Sequence, residues 1–521
     1  MKKWSIAALA LAAVVLGAAS ANAATKDMLK FGVTNFADSL EPTDNYFGWV
    51  VTRYGLGECL VKFDRKMNSV PCLASDWKIS DDHLTWTFTI DDRAKFSNGN
   101  KVTGAAVASS LKRTFAKAPR ARAMVEVEDI TADGQSVVVR TKYPTPTLPG
   151  IFGDPLFIII DTSVTDRDYA KQGPICTGPY MVNSYSKALA KMDANPYYWN
   201  GEVPFAHVEI HTIDDPNTRA MALQSGEIDM AINVSAGDLA LFSDTSKYYI
   251  STLASLRDVL ARLNQGEGRI LNDKRVRQAL LRSLDRETYC KVLLKDTFIK
   301  GGPMIPPSMD YAFDTLTDPN DYDPDSAEEL LEEAGWVDKD GDGIREKNGK
   351  KLELDFIFYS GRAELPLFAE ATQADASGVG FKINLKNVDY NVLDGIGIRG
   401  EYDLLISNVL AAQAGDPEVF VNMYWKTNHY TNDPAQGSNP QNGSGYSNPE
   451  YDALSDKLAR EFDPEKRRDI VIAMQKIILE DAATLIFAYP QTNMVSNLTI
   501  KDAEIQPCDY YWLTTEIKPA Q

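Results

Sequence analysis

Hydrophobic residues in this chain follow two rhythms. From Thr85 to Ile90, three threonines alternate with Trp86, Phe88 and Ile90, the period-two pattern of a half-buried strand. After Asp463-Pro464, the residues Ile470, Val471, Met474, Ile477 and Ile478 recur on one face of a helix. Ser326-Ala327-Glu328-Glu329 has the form of a capping box. Leu330, Leu331 and Ala334 give that helix an inner face, and Gly335 stops it. MLKFGVTN, residues 28–35, predicts a first strand, and Ala105–Phe115 a helix after the turn Ser97-Asn98-Gly99. Residues 43–58 begin rich in aromatics and turn helical. Tyr46 and Trp49 fall at that switch, where a ring can serve a ligand or the core. The stretch from Tyr402 to His429 opens as a buried strand through Leu404, Leu405 and Ile406. It loses pattern over Ala411–Gly415 and restarts as a helix with Asp416 as cap and Pro417 at the first helical position. A strand, a small-residue loop and a capped helix make the kind of corner that faces ligands in α/β proteins. Tyr424 and Trp425, on that helix, are candidates to line it.

The N-terminus changes the setting. Lys2 and Lys3, the apolar run Ile6–Leu16 and Ala21-Asn22-Ala23 form a secretory signal, with cleavage expected after Ala23. The apolar run is too short to span a bilayer, and no other stretch reaches roughly 20 apolar residues. The chain is therefore expected in a bacterial periplasm. About 500 mature residues exceed one core and call for two or three domains. A net charge of −19 argues against nucleic acid or an anionic membrane as partner.

Reactive side chains are sparse. Five cysteines leave at least one unpaired, and Cys59 and Cys72 flank a hairpin across which they could bridge. There is no CxxC, HExxH or GxSxG, so enzyme chemistry is not expected. A secreted hydrolase working through a carboxylate pair is the alternative from another class. His207 and His211 share one face of an alternating strand, which fits a sheet surface better than a metal pair. Asp338, Asp340 and Asp342 with Gly343 mimic the start of a calcium loop, but Gly349 stands where a bidentate Glu is needed.

Residues 73–102, LASDWKISDDHLTWTFTIDDRAKFSNGNKV, contain LA-x-x-W, a TWTF strand and FSNG. Together these closely resemble the signature of the oligopeptide and nickel class of periplasmic solute-binding proteins that serve ABC transporters, extracellular solute-binding family 5. GPICTGPY, NPYYW, IDDPNTRAMALQSGEIDM, NDKRVRQALLRSLDRE and YDPDSAEELLEEAGW follow in the family's order and span nearly the whole chain. The resemblance implies an α/β fold of two lobes, the large form of the type II periplasmic-binding-protein fold. Lobe I would be residues 24–263, with an extra subdomain over about 60–170. Lobe II would be 264–494, and 495–521 would return to lobe I. Two crossings, near Leu263-Asn264 and Thr492–Ser496, would form a hinge over a ligand cleft. The resemblance also implies an inner-membrane ABC permease as partner, no resident cofactor and a monomer that does not span the membrane. A ligand-loaded partner for a chemoreceptor would share this fold.

The cleft's contents are read from departures within the family. Its dipeptide binders carry an Asp three residues before the Asp-Pro, to pair with a peptide's ammonium. Here that position is Gln413, an amide that supplies no charge, so Asp44 or Glu364 would have to substitute. The nickel branch matches better. His429 falls on that branch's metal-contacting histidine, and RAELP with Arg362 resembles it too. Arg120 and Arg122 overlie a branch segment whose arginine contacts chelator carboxylates. Gln491 stands where some branch members carry a second histidine. Four histidines are too few for a free ion, whereas one histidine with arginines suits a metal held in a small organic chelator. The expected function is capture of nickel or another transition metal as a chelate, with peptide capture as the alternative. The candidate ligand residues are Tyr46, Trp49, Arg120, Arg122, Arg362, Gln413, Tyr424, Trp425 and Gln491, with His429 on the metal.

Overall fold

A computed structural model describes residues 27–412, 414–427 and 442–520. The signal segment, Gln413 and His429 lie outside the described residues. Strand β1 (Met28–Val33) opens the main sheet, and the chain then leaves it for a subdomain. That subdomain holds the hairpin of β2 (Val61–Phe63) and β3 (Ser69–Pro71). It also holds an antiparallel sheet of β4 (Ala74–Ile79), β5 (Thr85–Ile90), β6 (Val127–Asp133) and β7 (Ser136–Thr141) in the order β4-β5-β7-β6. As the alternation requires, Trp86, Phe88 and Ile90 of β5 are buried. The helix Gly104–Lys117 covers this sheet and starts where the Thr103 side chain accepts the Ala106 amide at 3.2 Å.

The chain rejoins the main sheet through β8 (Tyr180–Tyr185), β9 (Leu189–Ala194), β10 (His207–Thr212), β11 (Met230–Ile232) and β12 (Tyr248–Ala254). Next come β13 (Arg257–Leu263) and β14 (Phe298–Lys300). A small hairpin of β15 (Glu346–Lys347) and β16 (Lys350–Lys351) precedes β17 (Glu353–Phe358), β18 (Lys382–Asn387) and β19 (Leu404–Leu410). The last long strand is β20 (Thr484–Asn497). Among the described residues the main sheet has 12 strands in the order β18-β17-β19-β13-β20-β11-β1-β10-β9-β8, with β12 and β14 also on β20.

Strand β20 belongs to both halves of the molecule. Its residues Thr484–Ala488 pair with β13 and Ala488–Pro490 with β14. From Gln491 to Asn497 it pairs with β12, and Met494–Ser496 also with β11. The other passage between the halves is Ser255–Leu256, between β12 and β13. The resemblance puts β13 at the end of the first lobe, but β13 pairs along its whole length with β19. Its apolar side chains Val259, Ala261 and Leu263 join the core beneath the helices Lys274–Arg282 and Glu364–Gly378.

Helix starts follow the predicted chemistry with two shifts, one of them at the corner, where the helix begins at Glu418 with Pro417 as its cap residue and not its first helical one. Asp463 caps the helix Pro464–Glu480, accepting the amides of Glu465 and Lys466. The helix expected to begin at Ser326 begins at Pro324 instead, because Asp323 accepts the Ser326 amide at 3.1 Å and acts as the cap. In the calcium-like loop, Lys351 binds Asp342, so a side-chain cation already sits among these carboxylates, as a polar turn requires.

Candidate functional site

The two halves meet along an apolar seam. Phe63 and Met67 of the subdomain share a core with Leu256, Ala411, Ala412, Phe420 and Trp425. The corner after β19 turns through two successive left-handed residues, Ala414 at φ +57° and Gly415 at φ +74°. It approaches residue 150 so closely that a Cβ there would strike the Ala414 carbonyl oxygen, which makes Gly150 obligatory.

Above this seam lies a crevice lined by Trp49, Ser255, Leu256, Arg257, Leu410 and residues 507–510. It encloses only about 10 Å³, the room of one water. Trp49 packs edge-on against Tyr510 at 5.2 Å and against Tyr46 at 5.5 Å, and its buried indole N–H has no hydrogen-bond partner. Tyr46 is 58% exposed at the rim.

Two arginines dominate the electrostatics. Burial lowers the affinity of the Arg257 guanidinium for its proton. Asp509 opposes this, and the like charge of Arg362 adds to it. Among the described residues, the Arg257 side chain makes no hydrogen bond or ion pair. Arg362 stands beside Tyr359, whose hydroxyl is pushed up by burial against the pull of Arg362. Tyr359 meets Tyr390 edge-on at 5.1 Å. Nearby, Asn408 donates to Glu364 at 2.8 Å, leaving its own buried carbonyl oxygen unpaired. Glu364 is thus engaged within its own half.

The other predicted residues scatter. Arg120 donates through Nη2 to both carboxylate oxygens of buried Asp154 at 2.7 Å, and its guanidinium lies 4.8 Å from the Tyr46 ring centre. Its charge is already matched. Arg122 turns the other way, donating to the carbonyls of Phe115 and Ala116, and lines a surface groove with Lys112 and Glu126. That is a helix-end role, and the structure does not bring Arg122 to the crevice. Trp425 is buried in the apolar core against Phe420, and it does not line the crevice. Tyr424 is half-buried with the Arg262 guanidinium 5.4 Å from its ring centre. Gln491 sits where β20 passes between the halves, its backbone N–H donating to the Thr297 carbonyl. Asp416 accepts the Glu418 amide and is held by Arg467 through two bonds of 3.0 Å, which pins the corner.

All five cysteines are free thiols, Cys59 and Cys72 included. His207 and His211 contact Asp193 and Glu209, as surface residues of a sheet do. Sequence reasoning missed Arg257, Asp509 and Tyr510. The signal for the first was present: Arg257-Asp258 is a pair of charges at the head of an otherwise apolar strand.

Residues 68–432 match the family "Bacterial extracellular solute-binding proteins, family 5 Middle". The chain is 28% identical over 396 residues to the nickel-binding periplasmic protein of Escherichia coli, covering 73% of this chain and 74% of that protein. It is 30% identical over 389 residues to a putative ABC transporter peptide-binding protein of Brucella ovis, covering 70% and 69%. Its fold is similar to that of a nickel ABC transporter structure from Bacillus halodurans, with a TM-score of 0.82 at 22% identity over 94% of this chain and 100% of that one.

Proposed function

Since the chain belongs to the bacterial extracellular solute-binding proteins of family 5, we propose that it is the periplasmic substrate-binding component of an ABC importer that captures a small, acidic metal chelate between two lobes. The observation that carries this reading is the double passage of the chain, at Ser255–Leu256 and at Tyr489–Gln491 within β20, directly beside a crevice lined from both halves. Two adjacent passages act as a hinge, and a crevice of about 10 Å³ must open to admit a ligand. The lobes divide at these passages, so β13 goes with lobe II.

The chelate reading is supported by the likeness to a nickel-binding relative, by the Arg257 guanidinium lining the crevice, and by an amide, Gln413, where a peptide's ammonium would need a carboxylate. His429 is the proposed metal contact. An inner-membrane permease is the partner, and the segment 1–23 directs export.

Native mass spectrometry of the gently purified mature protein, with metal analysis of the same sample, tests this. One small adduct carrying a transition metal is expected. A ladder of peptide masses without metal would refute the chelate reading and favour peptide capture, the activity for which the Brucella ovis relative is named.

A further inference from the structure

Most tightly placed glycines in this chain are confined by their own half. A Cβ on Gly104 would meet the Ser136 carbonyl oxygen at 2.2 Å, and one on Gly301 would meet the Ile486 carbonyl oxygen at 2.3 Å. Each pair lies within one half, so the glycine is needed however the halves are arranged. Gly150 and Gly415 differ. Among the described glycines they are the two whose nearest obstruction lies across the seam.

Gly150 belongs to the short helix Leu148–Ile151 of the subdomain. A Cβ there would stand 2.1 Å from the Ala414 carbonyl oxygen, far inside contact distance, and that oxygen belongs to the corner of the second half. From its own half, outside the helix itself, the nearest atom is Ser69 Oγ at 3.5 Å, an ordinary contact. A side chain at residue 150 is therefore acceptable to the subdomain alone and is excluded only when the corner sits against it.

The corner is shaped in the same way. Gly415 has φ +74°, and a Cβ on it would strike the Phe63 ring at 2.5 Å and the Met67 carbonyl oxygen at 2.7 Å, both in the subdomain. Ala414 is buried, and it joins the subdomain core that holds Leu148 and Ile151. Main chain thus approaches across the seam to a distance that only glycine allows. Interiors at contact density do not absorb an overlap of this size, so an added methyl group must push the two surfaces apart.

We infer that Gly150 is a positioning residue for capture: its missing side chain lets the corner at Ala414–Gly415 dock on the subdomain, and this backbone contact sets how far the two lobes close. A larger residue at 150 holds the lobes apart without touching the ligand. It weakens every ligand by the same factor, because apparent affinity scales with the fraction of protein able to close. The inference rests on the two-lobed capture proposed above and not on which ligand is captured.

Melting curves, titration calorimetry and small-angle X-ray scattering of wild type, G150A and G104A test this, with Ni(II)–EDTA and trialanine as probes. Without ligand, G150A should melt close to wild type, whereas G104A, crowded within its own subdomain, should melt clearly lower. Scattering is measured ligand-free, with Ni(II)–EDTA and with trialanine. In whichever of these solutions wild type is compact, G150A should have a larger radius of gyration. Each probe that wild type binds should bind G150A about tenfold more weakly, with the same factor for both. A merely structural glycine would lower the melting point and leave compactness and the ratio of the two affinities alone. A G150A protein that fails to fold or melts as low as G104A would overturn the inference. So would one that is as compact as wild type in all three solutions, or one that loses affinity for only one of two bound probes. Binding of trialanine alone by wild type, with G150A wider and weaker, would refute the chelate reading and leave this inference standing.

Discussion

Arg120 grips Asp154 with one nitrogen on both carboxylate oxygens, and Asp154 has no solvent exposure at all. The pair ties the helix Pro119–Met124 to the turn that begins lobe I's contact with the seam, since Asp154 also accepts the Leu156 amide at 2.9 Å. It is therefore a structural clamp. Asp154→Ala should destabilise the fold by about 3 kcal/mol, at the low end for a broken buried pair because Arg120 is partly exposed. The double change R120L/D154L should recover much of that loss. Urea unfolding of the three variants measures both effects, and an unaffected D154A would return Arg120 to the list of free anion binders.

Asp258 supplies a pH signature. It is fully buried opposite Val409 in the β13–β19 ladder, and neither carboxylate oxygen has a hydrogen-bond partner. Burial holds its carboxyl well above the usual range. The folded state thus keeps a proton that the unfolded chain releases near pH ~4. An acid raised in this way costs stability progressively as pH rises above that value. Wild type should lose stability relative to D258N from about pH 4 upward, with a constant difference below it. Urea midpoints of the two proteins between pH 3 and 8 check this. Parallel curves across the range would show that Asp258 is ionised in the fold.

The two tryptophans near the corner should separate cleanly. Trp425→Ala removes a buried core ring and should cost about 3–5 kcal/mol in unfolding. Trp49 is only partly covered and offers an unpaired indole N–H to the crevice. Ni(II)–EDTA should change the intrinsic fluorescence of wild type and of Trp425→Phe. In Trp49→Phe that change should be much smaller. An undiminished signal in Trp49→Phe would remove this ring from the site.

Asp509 shares the crevice with Arg257, and its negative charge favours the charged guanidinium, so on the proposed function it would compete there with an acidic ligand. Asp509→Asn should tighten Ni(II)–EDTA by about fivefold at low salt, the worth of roughly 1 kcal/mol for a charge near a protein surface. The gain should shrink as ionic strength rises. Weaker binding in D509N would mean that Asp509 helps to hold the ligand or the closed seam.

The alternation in β5 and the helical stripe of 464–480 were legible because a single element's period reports its own buried face. The strand-to-helix corner was legible for the same reason. The membership of β13 was not. Val259, Ala261 and Leu263 are apolar whichever lobe holds them, and it is pairing with β19, far along the chain, that supports placing β13 with lobe II. The surroundings of the candidate site residues were hidden for a related cause. Arg120 looks available until Asp154, 34 residues away, is placed under it. Trp49 and Trp425 are chemically identical, and their different fates depend on what packs around each.

Strand β20 has a consequence for how the chain is made. It lies between β13 and β11 at the centre of the 12-stranded sheet, and β12 and β14 rest on it as well, yet it spans residues 484–497 near the chain's end. Neither half-sheet can close its ladder before those residues emerge. Any nascent or truncated chain ending before Thr484 carries unpaired edges on strands from both halves. Folding is thereby postponed until almost the whole polypeptide has been delivered, and short fragments present open edges for aggregation and proteolysis.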